Sequence, residues 1–210
     1  MKIDAILGSR MAALATLAMG IALLPATADT LYDNHAFNSS LGGYGIRNPF
    51  SISDSFTMST SGLVTGVSFV VILTTYGDSL LDLDWSITSA AFAGTTYASG
   101  TSAVPTQTFT GSASFYNEVL AIPGLNLASG TYWLQLGNAI VTNGDNVWWA
   151  ESNGPSQAYQ HFNSTTQQVS PSEAFKITGA SLPEPGGFLA AATSLAAMVA
   201  LIRSRLGLKA

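Results

Sequence analysis

The sequence predicts an all-β fold: an antiparallel, jelly-roll-like β-sandwich with an N-terminal signal peptide before it and one C-terminal transmembrane helix after it. Apolar and polar residues alternate in short runs, turn-forming pairs separate the runs, and no stretch between residues 29 and 182 sustains a helical period. Roughly eight to ten short strands at this spacing are typical of a sandwich. The 154 residues of this interval are enough for one ordinary domain.

Five of the predicted strands have a clear inward face, because successive side chains of a strand point to opposite sides of the sheet. The second of them is apolar enough to be buried on both faces. A sixth strand sets Phe115, Asn117 and Val119 against Tyr116, Glu118 and Leu120. The inward residues of the five are Ile52, Phe56 and Met58; Val67, Phe69, Val71 and Leu73; Leu83, Trp85 and Ile87; Tyr132, Leu134 and Leu136; and Phe175 with Ile177.

Short turn signals predict the connections. Gly77-Asp78 marks a turn, and Pro123-Gly124 is expected to turn the chain after the sixth strand. Asn143-Gly144 is a strong signal for a two-residue hairpin between strands at 139–142 and 147–151.

Residues 1–28 have the features of a secretory signal peptide. Lys2 and Arg10 form the basic start, an apolar stretch of 14 residues follows, and Ala26-Thr27-Ala28 is a small-x-small cleavage site. Signal peptidase is the implied partner, and the mature chain is expected to begin at Asp29. An uncleaved N-terminal anchor is the alternative, although the apolar stretch is short for crossing a membrane.

The C-terminal segment 183–210 combines three elements. Pro183-Glu184-Pro185 is followed by an uncharged run at 186–202 and a basic tail at 203–210, which contains Arg203 and Arg205. As a helix the run reaches about 25 Å, near the lower limit for spanning a bilayer. Cations stay on the cytoplasmic side, so the chain before the run is expected outside. The prolines favour an extended peptide, the shape that a protease cleft accepts.

This order of elements resembles a PEP-CTERM sorting signal over about 28 residues. The resemblance implies recognition by an exosortase, a membrane-embedded cysteine transpeptidase, in a bacterium that makes extracellular polysaccharide. The basic end departs from the family, because Ser204 interrupts its arginines. The implied boundaries are an exported sandwich domain at 29–178, a spacer at 179–182 and the signal at 183–210.

Two alternatives for the tail stay open. Residues 182–186 also resemble the sortase pattern Leu-Pro-x-Thr-Gly, but Pro185 stands where that pattern has threonine. The segment 183–210 is otherwise a plain membrane anchor that is never cut. A helix of the domain core is disfavoured, because the run is apolar on all sides.

Composition excludes several function classes. Between residues 29 and 185, eleven acidic residues stand against Arg47 and Lys176 alone, which gives a net charge of −9. So few cations argue against nucleic acid and anionic lipid surfaces as partners. The absence of cysteine excludes disulfides, thiol nucleophiles and zinc-cysteine sites.

Catalytic and metal candidates are few. Asp78, Asp82 and Asp84 cluster within seven positions, which makes a structural calcium ion possible, although solvated turn acids are the alternative. Glu118 and Glu151 are the pair that a glycosidase would need, with outward strand residues as the alternative. The only two histidines, His35 and His161, have no nucleophile motif beside them and are expected on the surface or in loops.

Trp148-Trp149 is the most suggestive interior feature. Adjacent residues of a strand face opposite sides, so one indole enters the core while the other faces out. An outward indole would stack on a sugar ring, and the alternative is that both are core or interface aromatics. We therefore expect a non-catalytic exported protein, anchored in the inner membrane as a precursor and then delivered to the cell surface or a biofilm matrix. The second hypothesis is a carbohydrate-binding module that uses Trp148 or Trp149.

Overall fold

The computed structural model describes residues 28–182 except 39–41, 76, 104–107 and 111–113. These residues form two antiparallel sheets and contain no helix, which confirms the all-β prediction for this part of the chain. In chain order the strands are β1 (Asp29–Asp33), β2 (Gly43–Gly45), β3 (Phe50–Met58), β4 (Gly62–Leu73), β5 (Leu80–Ala90), β6 (Ala93–Ala103), β7 (Thr108–Phe109), β8 (Phe115–Leu127), β9 (Gly130–Val141), β10 (Val147–Ser152), β11 (Ala158–Phe162), β12 (Thr165–Val169), β13 (Ser172–Glu173) and β14 (Phe175–Ser181).

The first sheet is built around β4. One edge of β4 pairs with β8 along most of its length, while the other edge pairs first with β14 and then with β10. β1, β2, β7 and β13 extend this sheet to eight strands within the described residues. The second sheet has six described strands in the order β12-β11-β3-β9-β5-β6.

The two sheets pack face to face around one apolar core, as in a β-sandwich. The inward residues predicted for five strands are all buried, from Ile52 on β3 to Ile177 on β14. Phe69 of one sheet and Phe56 of the other belong to the same buried cluster. Burial of this apolar surface stabilises the domain without cysteine.

Asn143-Gly144 forms a turn but not a hairpin. Gly144 has a φ of 76°, and its N–H donates to the Val141 carbonyl over 3.1 Å, so the local turn chemistry is present. However, β9 lies in the six-stranded sheet and β10 in the eight-stranded sheet. The hairpin prediction is wrong because this turn carries the chain from one sheet to the other.

Pro123-Gly124 lies inside β8 rather than at its end. Val64 and Gly66 of β4 pair with Leu125 and Ala121, so residues 122–124 form a bulge opposite a single residue of β4. Proline has no N–H for a strand ladder, and a bulge is where a sheet tolerates it. The predicted turn is therefore wrong, and β8 continues to Leu127.

The domain also extends further than predicted. Ser181 pairs with Gly62, and the Leu182 N–H donates to the Ser61 carbonyl over 2.9 Å. Residues 179–182 are thus not a free spacer, because 179–181 belong to β14. The predicted signal peptide, apart from Ala28, and the segment 183–210 lie outside the described residues. Within the described ranges, no helix is long and apolar enough to cross a membrane.

Candidate functional site

A polar trough crosses the outer face of the six-stranded sheet. On β9, Leu134 and Leu136 face the core, so Gln135 and Gly137 between and beyond them face outward. The trough has a volume of about 670 Å³, within the usual range of ligand sites. Its floor is one row of neighbours on β11, β3, β9, β5 and β6, namely His161, Ser51, Gly137, Asp84 and Thr101.

The trough is open at its centre because of Gly137. A Cβ at this position would lie 2.9 Å from Ser51 Cβ, closer than real side chains approach. The missing side chain leaves the floor low between Ser51 and Asp84, which both line the trough. A second row on the same face adds Gln135, Ser86 and Ser99 to the lining.

Asp84 is held in place by two neighbours. Thr101 Oγ1 donates to one carboxylate oxygen over 2.5 Å, and Asn138 Nδ2 donates to the other over 2.6 Å. These two hydrogen bonds lower the pKa of the Asp84 carboxyl. Asp84 therefore stays ionised near neutral pH and offers fixed acceptor oxygens to a ligand.

The lining of the trough suits a ligand rich in hydroxyl groups. Its side chains are mostly hydroxyls and amides, which both donate and accept hydrogen bonds. Among the described lining residues, Asp84 is the only carboxylate, and none is lysine or arginine. An anionic group would thus meet no counter-charge in the trough, which favours neutral parts of a ligand.

Aromatic side chains border the trough. Trp133 and Tyr159 are half-buried on the same outer face and contact each other edge to face, with ring centroids 5.5 Å apart. Phe92 lies 5.5 Å from the ring of His161, which lines the trough. Half-buried rings beside hydroxyl and amide groups offer a ligand both an apolar face and polar partners.

A smaller cavity of about 230 Å³ lies beside Trp148. Gly45 is directly opposite Trp148 across β2 and β10, and the Phe50 side chain packs against it, since a Cβ at Gly45 would lie 3.4 Å from Phe50 Cγ. Gly43, the next outward residue of β2, would place a Cβ only 3.1 Å from Trp148 Cβ. The remaining lining residues are Tyr44, Arg47, Phe50, Asn146, Val147 and Gln160.

The tryptophan pair divides between the two sides of its sheet. Trp149 is fully buried in the core, where its Nε1 donates to the Ala174 carbonyl over 3.0 Å. Trp148 is half-buried on the outer face and packs with a cluster that includes Ile72 and Phe115. Of the two sequence-predicted sugar-binding residues, only Trp148 reaches a cavity.

The three calcium candidates do not form a site together. Asp84 is engaged with Thr101 and Asn138, while Asp78 is buried in the loop before β5 and Asp82 lies on that strand. Over the described ranges, no three histidine, aspartate or glutamate side chains are grouped so that they hold a metal ion.

The carboxylate pair proposed for a glycosidase is also separated from the cavities. Glu118 pairs with Phe69 and is fully buried on the core face of β8, so the alternative that it is an outward strand residue is wrong. Burial raises the pKa of the Glu118 carboxyl to about 7. Glu151 is half-buried at the end of β10, and neither residue lines the trough or the smaller cavity.

The two histidines differ in position. His35 is exposed after β1, and its backbone N–H donates to Asp33 Oδ1. His161 is half-buried on β11 and its Nδ1 lies 3.0 Å from Thr166 Oγ1. His161 therefore lies at the surface, one of the two positions expected from the sequence, and there it lines the trough.

A second group of acids lies buried between the sheets. Asp54 Oδ2 on β3 accepts a hydrogen bond of 2.7 Å from the Glu173 N–H on β13, which joins the two sheets. Burial raises the pKa of Asp54 to about 6 and that of Glu173 well above its ordinary value. Neither carboxylate oxygen of Glu173 has a hydrogen-bond partner within the described residues.

Sequence reasoning missed the trough itself. The alternation on β3, β5 and β9 predicts which residues face outward, and this was the available signal. It does not give the order of the strands, so nothing indicated that Ser51, Asp84 and His161 share one row. Asn138, with its left-handed φ of 50°, also had no signature in the sequence.

The sorting residues Pro183, Glu184 and Pro185 and the topology residues Arg203 and Arg205 lie outside the described residues. No protein-family model matches this sequence, and no curated protein matches it. The fold and its cavities define an antiparallel two-sheet β-protein with a polar trough on one outer face.

Proposed function

We propose that this chain is a non-catalytic exported protein that is sorted to the cell surface or the extracellular polysaccharide matrix and binds polysaccharide there. The trough is the observation that carries the binding role, because it joins hydroxyl, amide and fixed carboxylate groups to bordering aromatic rings. We also propose that the strands of the two sheets are connected in a jelly-roll-like order.

The sorting role is supported by the order of three elements at the C-terminus. Pro183-Glu184-Pro185, the apolar run at 186–202 and the basic tail at 203–210 follow one another as in a PEP-CTERM signal. An exosortase-type transpeptidase would cut near the tripeptide after signal peptidase had removed residues 1–28. Before that cut, the helix would hold the precursor in the inner membrane.

The intact mass of the protein from the cell surface and from the culture fluid tests the sorting role. We expect a chain that starts at Asp29 and ends near Pro185, and we expect deletion of residues 183–185 to trap the precursor in the membrane. Deletion of residues 206–208, which spares the tripeptide, the apolar run and both arginines, is the control. Released protein that still carries residues 186–210 would contradict sorting.

Titration of the purified protein with the extracellular polysaccharide of the producing cells tests the binding role. Asn138→Gly keeps the positive φ but removes the amide that holds Asp84, so we expect binding to weaken about three- to tenfold. Val119→Ser, on the outer face of the other sheet, is the control. Equal affinity in the wild-type protein and Asn138→Gly would remove the trough as the site.

A glycan-active enzyme is the less favoured alternative. It would use Glu118 and Glu151, and Glu118 is buried in the core without access to either cavity. Release of reducing sugar from the same polysaccharide, abolished by Glu118→Gln, would establish this alternative in place of binding alone.

A further inference from the structure

The trough and the smaller cavity are neighbours. Phe50 lines both of them, and it stacks on Phe162 with ring centroids 4.4 Å apart and planes tilted by 11°. Arg47 lines the smaller cavity, while Asn48, the next residue, lines the trough. An extended ligand in the trough therefore reaches the smaller cavity by passing Phe50.

Arg47 gives the smaller cavity a positive charge, and no lysine or arginine lines the trough. It is one of two basic residues between 29 and 185. The other, Lys176, forms a 2.8 Å ion pair with Asp33. No carboxylate among the residues that the structure describes lies within salt-bridge distance of Arg47, and the acid in the adjacent turn, Asp145, accepts a hydrogen bond from Thr75 instead.

Trp148 and the glycines of β2 give the same cavity an apolar surface. The indole is half-exposed, and the residue opposite it, Gly45, has no side chain and packs against Phe50. Asn146 and Gln160 add amide groups at the rim. The cavity volume, about 230 Å³, is below the usual range for whole ligands and is suited to one ring of a longer molecule.

We infer that the smaller cavity binds a carboxylate-bearing sugar residue, such as a uronic acid, of a polysaccharide whose neutral residues lie in the trough. Arg47 pairs with the carboxylate, because a guanidinium matches its two oxygens, and Trp148 contacts the ring. This inference rests on the proposed polysaccharide binding and names the chemical class of the polymer.

The charge balance of the domain limits how acidic the polymer is. One arginine stands within a segment of net charge −9, so a dense polyanion would be repelled at long range. A polymer with occasional carboxylates, separated by neutral sugars, satisfies both the single cation and a trough whose lining contains no lysine or arginine. The structure thus favours a sparsely charged acidic polysaccharide.

The experiment compares the extracellular polysaccharide of the producing cells before and after its carboxyl groups are reduced to alcohols. Binding is measured by calorimetry with the protein purified from those cells. We expect the wild-type protein to prefer the unreduced polymer by about five- to tenfold, and Arg47→Gln to lose that preference. Lys176→Gln removes the same charge at a residue that lines neither cavity and should retain the preference.

The outcomes separate the two proposals. Trp148→Ala should weaken binding of both polymers to a similar extent, while Arg47→Lys should keep part of the preference for the acidic form. Equal affinity of the wild-type protein for both polymers would overturn the role of Arg47 and leave the trough as a neutral site. No binding of either polymer would overturn the proposed function itself.

Discussion

The pKa of a carboxyl group is lowered on the outer face of the six-stranded sheet and raised between the two sheets. Asp84 lies in an open trough, where Thr101 and Asn138 hold its charge and lower its pKa. Glu118 lies between the sheets without a hydrogen-bond partner among the described residues, and burial raises its pKa to about 7. The difference shows that local partners and water, not residue type, decide whether an acid here is ionised.

This contrast separates the residues that are available to a ligand from the residues that affect the stability of the fold. The outer acid is available to a ligand at neutral pH, whereas the buried acids weaken the fold whenever they ionise. The two tryptophans divide in the same way, since Trp149 packs in the core and Trp148 borders a cavity. Substitutions inside the sandwich should therefore change unfolding, and those outside should change ligand affinity.

The largest expected effect is that of Trp149→Ala. The variant loses a fully buried indole and its hydrogen bond to Ala174, which costs about 3–5 kcal/mol of unfolding free energy. Denaturant unfolding at constant pH measures this loss. Trp148→Ala is the matched control. We expect it to lose about 1–2 kcal/mol of unfolding free energy, because its site is half-exposed and relaxes more easily. Similar losses for both variants would break the inside–outside contrast.

Glu118→Gln should change the pH dependence of stability. The folded pKa of Glu118 is raised, so its stabilising contribution is complete below about pH 4 and is lost as pH rises through about 7. At pH 8 we expect the variant to be more stable than wild type by roughly 3 kcal/mol, and near pH 4 by little. Urea unfolding at both pH values measures the difference. A pH-independent difference would show that Glu118 is not protonated in the fold.

Asp54→Ala should destabilise the protein at low pH, and this change in unfolding free energy should be smaller than those of the two preceding substitutions. Removal of the carboxyl leaves the buried Glu173 N–H without its acceptor, which costs about 1–3 kcal/mol at pH 4.5. Asp54→Asn keeps an oxygen at this position and should lose less. At pH 8 both variants should recover stability relative to wild type. This pH lies above the raised pKa of Asp54, so the buried carboxyl of the wild-type protein is ionised there. Thermal unfolding between pH 4.5 and pH 8 measures how the stability difference between each variant and wild type changes with pH.

Asp84→Asn should have the smallest effect on unfolding, below about 1 kcal/mol, while weakening polysaccharide binding. The folded pKa of Asp84 is lowered, so its contribution to stability is present at neutral pH and is lost as pH falls below about 4. This slope is opposite to that of Glu118. Parallel pH titrations of stability for the two variants measure both slopes, and slopes of equal sign would contradict the contrast.

Much of the core could be predicted from alternation alone. Leu83, Trp85 and Ile87 face inward on β5 as expected, because polar residues alternate with them along the strand. β6 gave no such signal, since apart from Tyr97 its residues are Ala, Gly, Ser and Thr, which form no apolar face. It forms a strand because β5 offers it a ladder of backbone hydrogen bonds.

Turn signals were less reliable than alternation. Asn143-Gly144 has the chemistry of a hairpin, yet β9 finds its partners in β3 and β5 rather than in β10. The local turn allows either outcome, and packing of the two sheets selects one. Glu118 likewise follows the inward parity of Tyr116 and Leu120, which overrides the preference of a carboxylate for water.

The sequence by itself determined the fold class, the parity of the main strands, the lack of disulfide chemistry and the scarcity of cations, since these depend on composition and on neighbours along the chain. Only the tertiary structure decided the strand order, and with it the trough, the cavity at Trp148 and the buried acids. Strand order depends on pairings between residues far apart in sequence, and no local pattern records them. Ser51 and His161 meet because β3 and β11 pair across 110 positions of chain, a contact fixed by the packing of the whole sandwich.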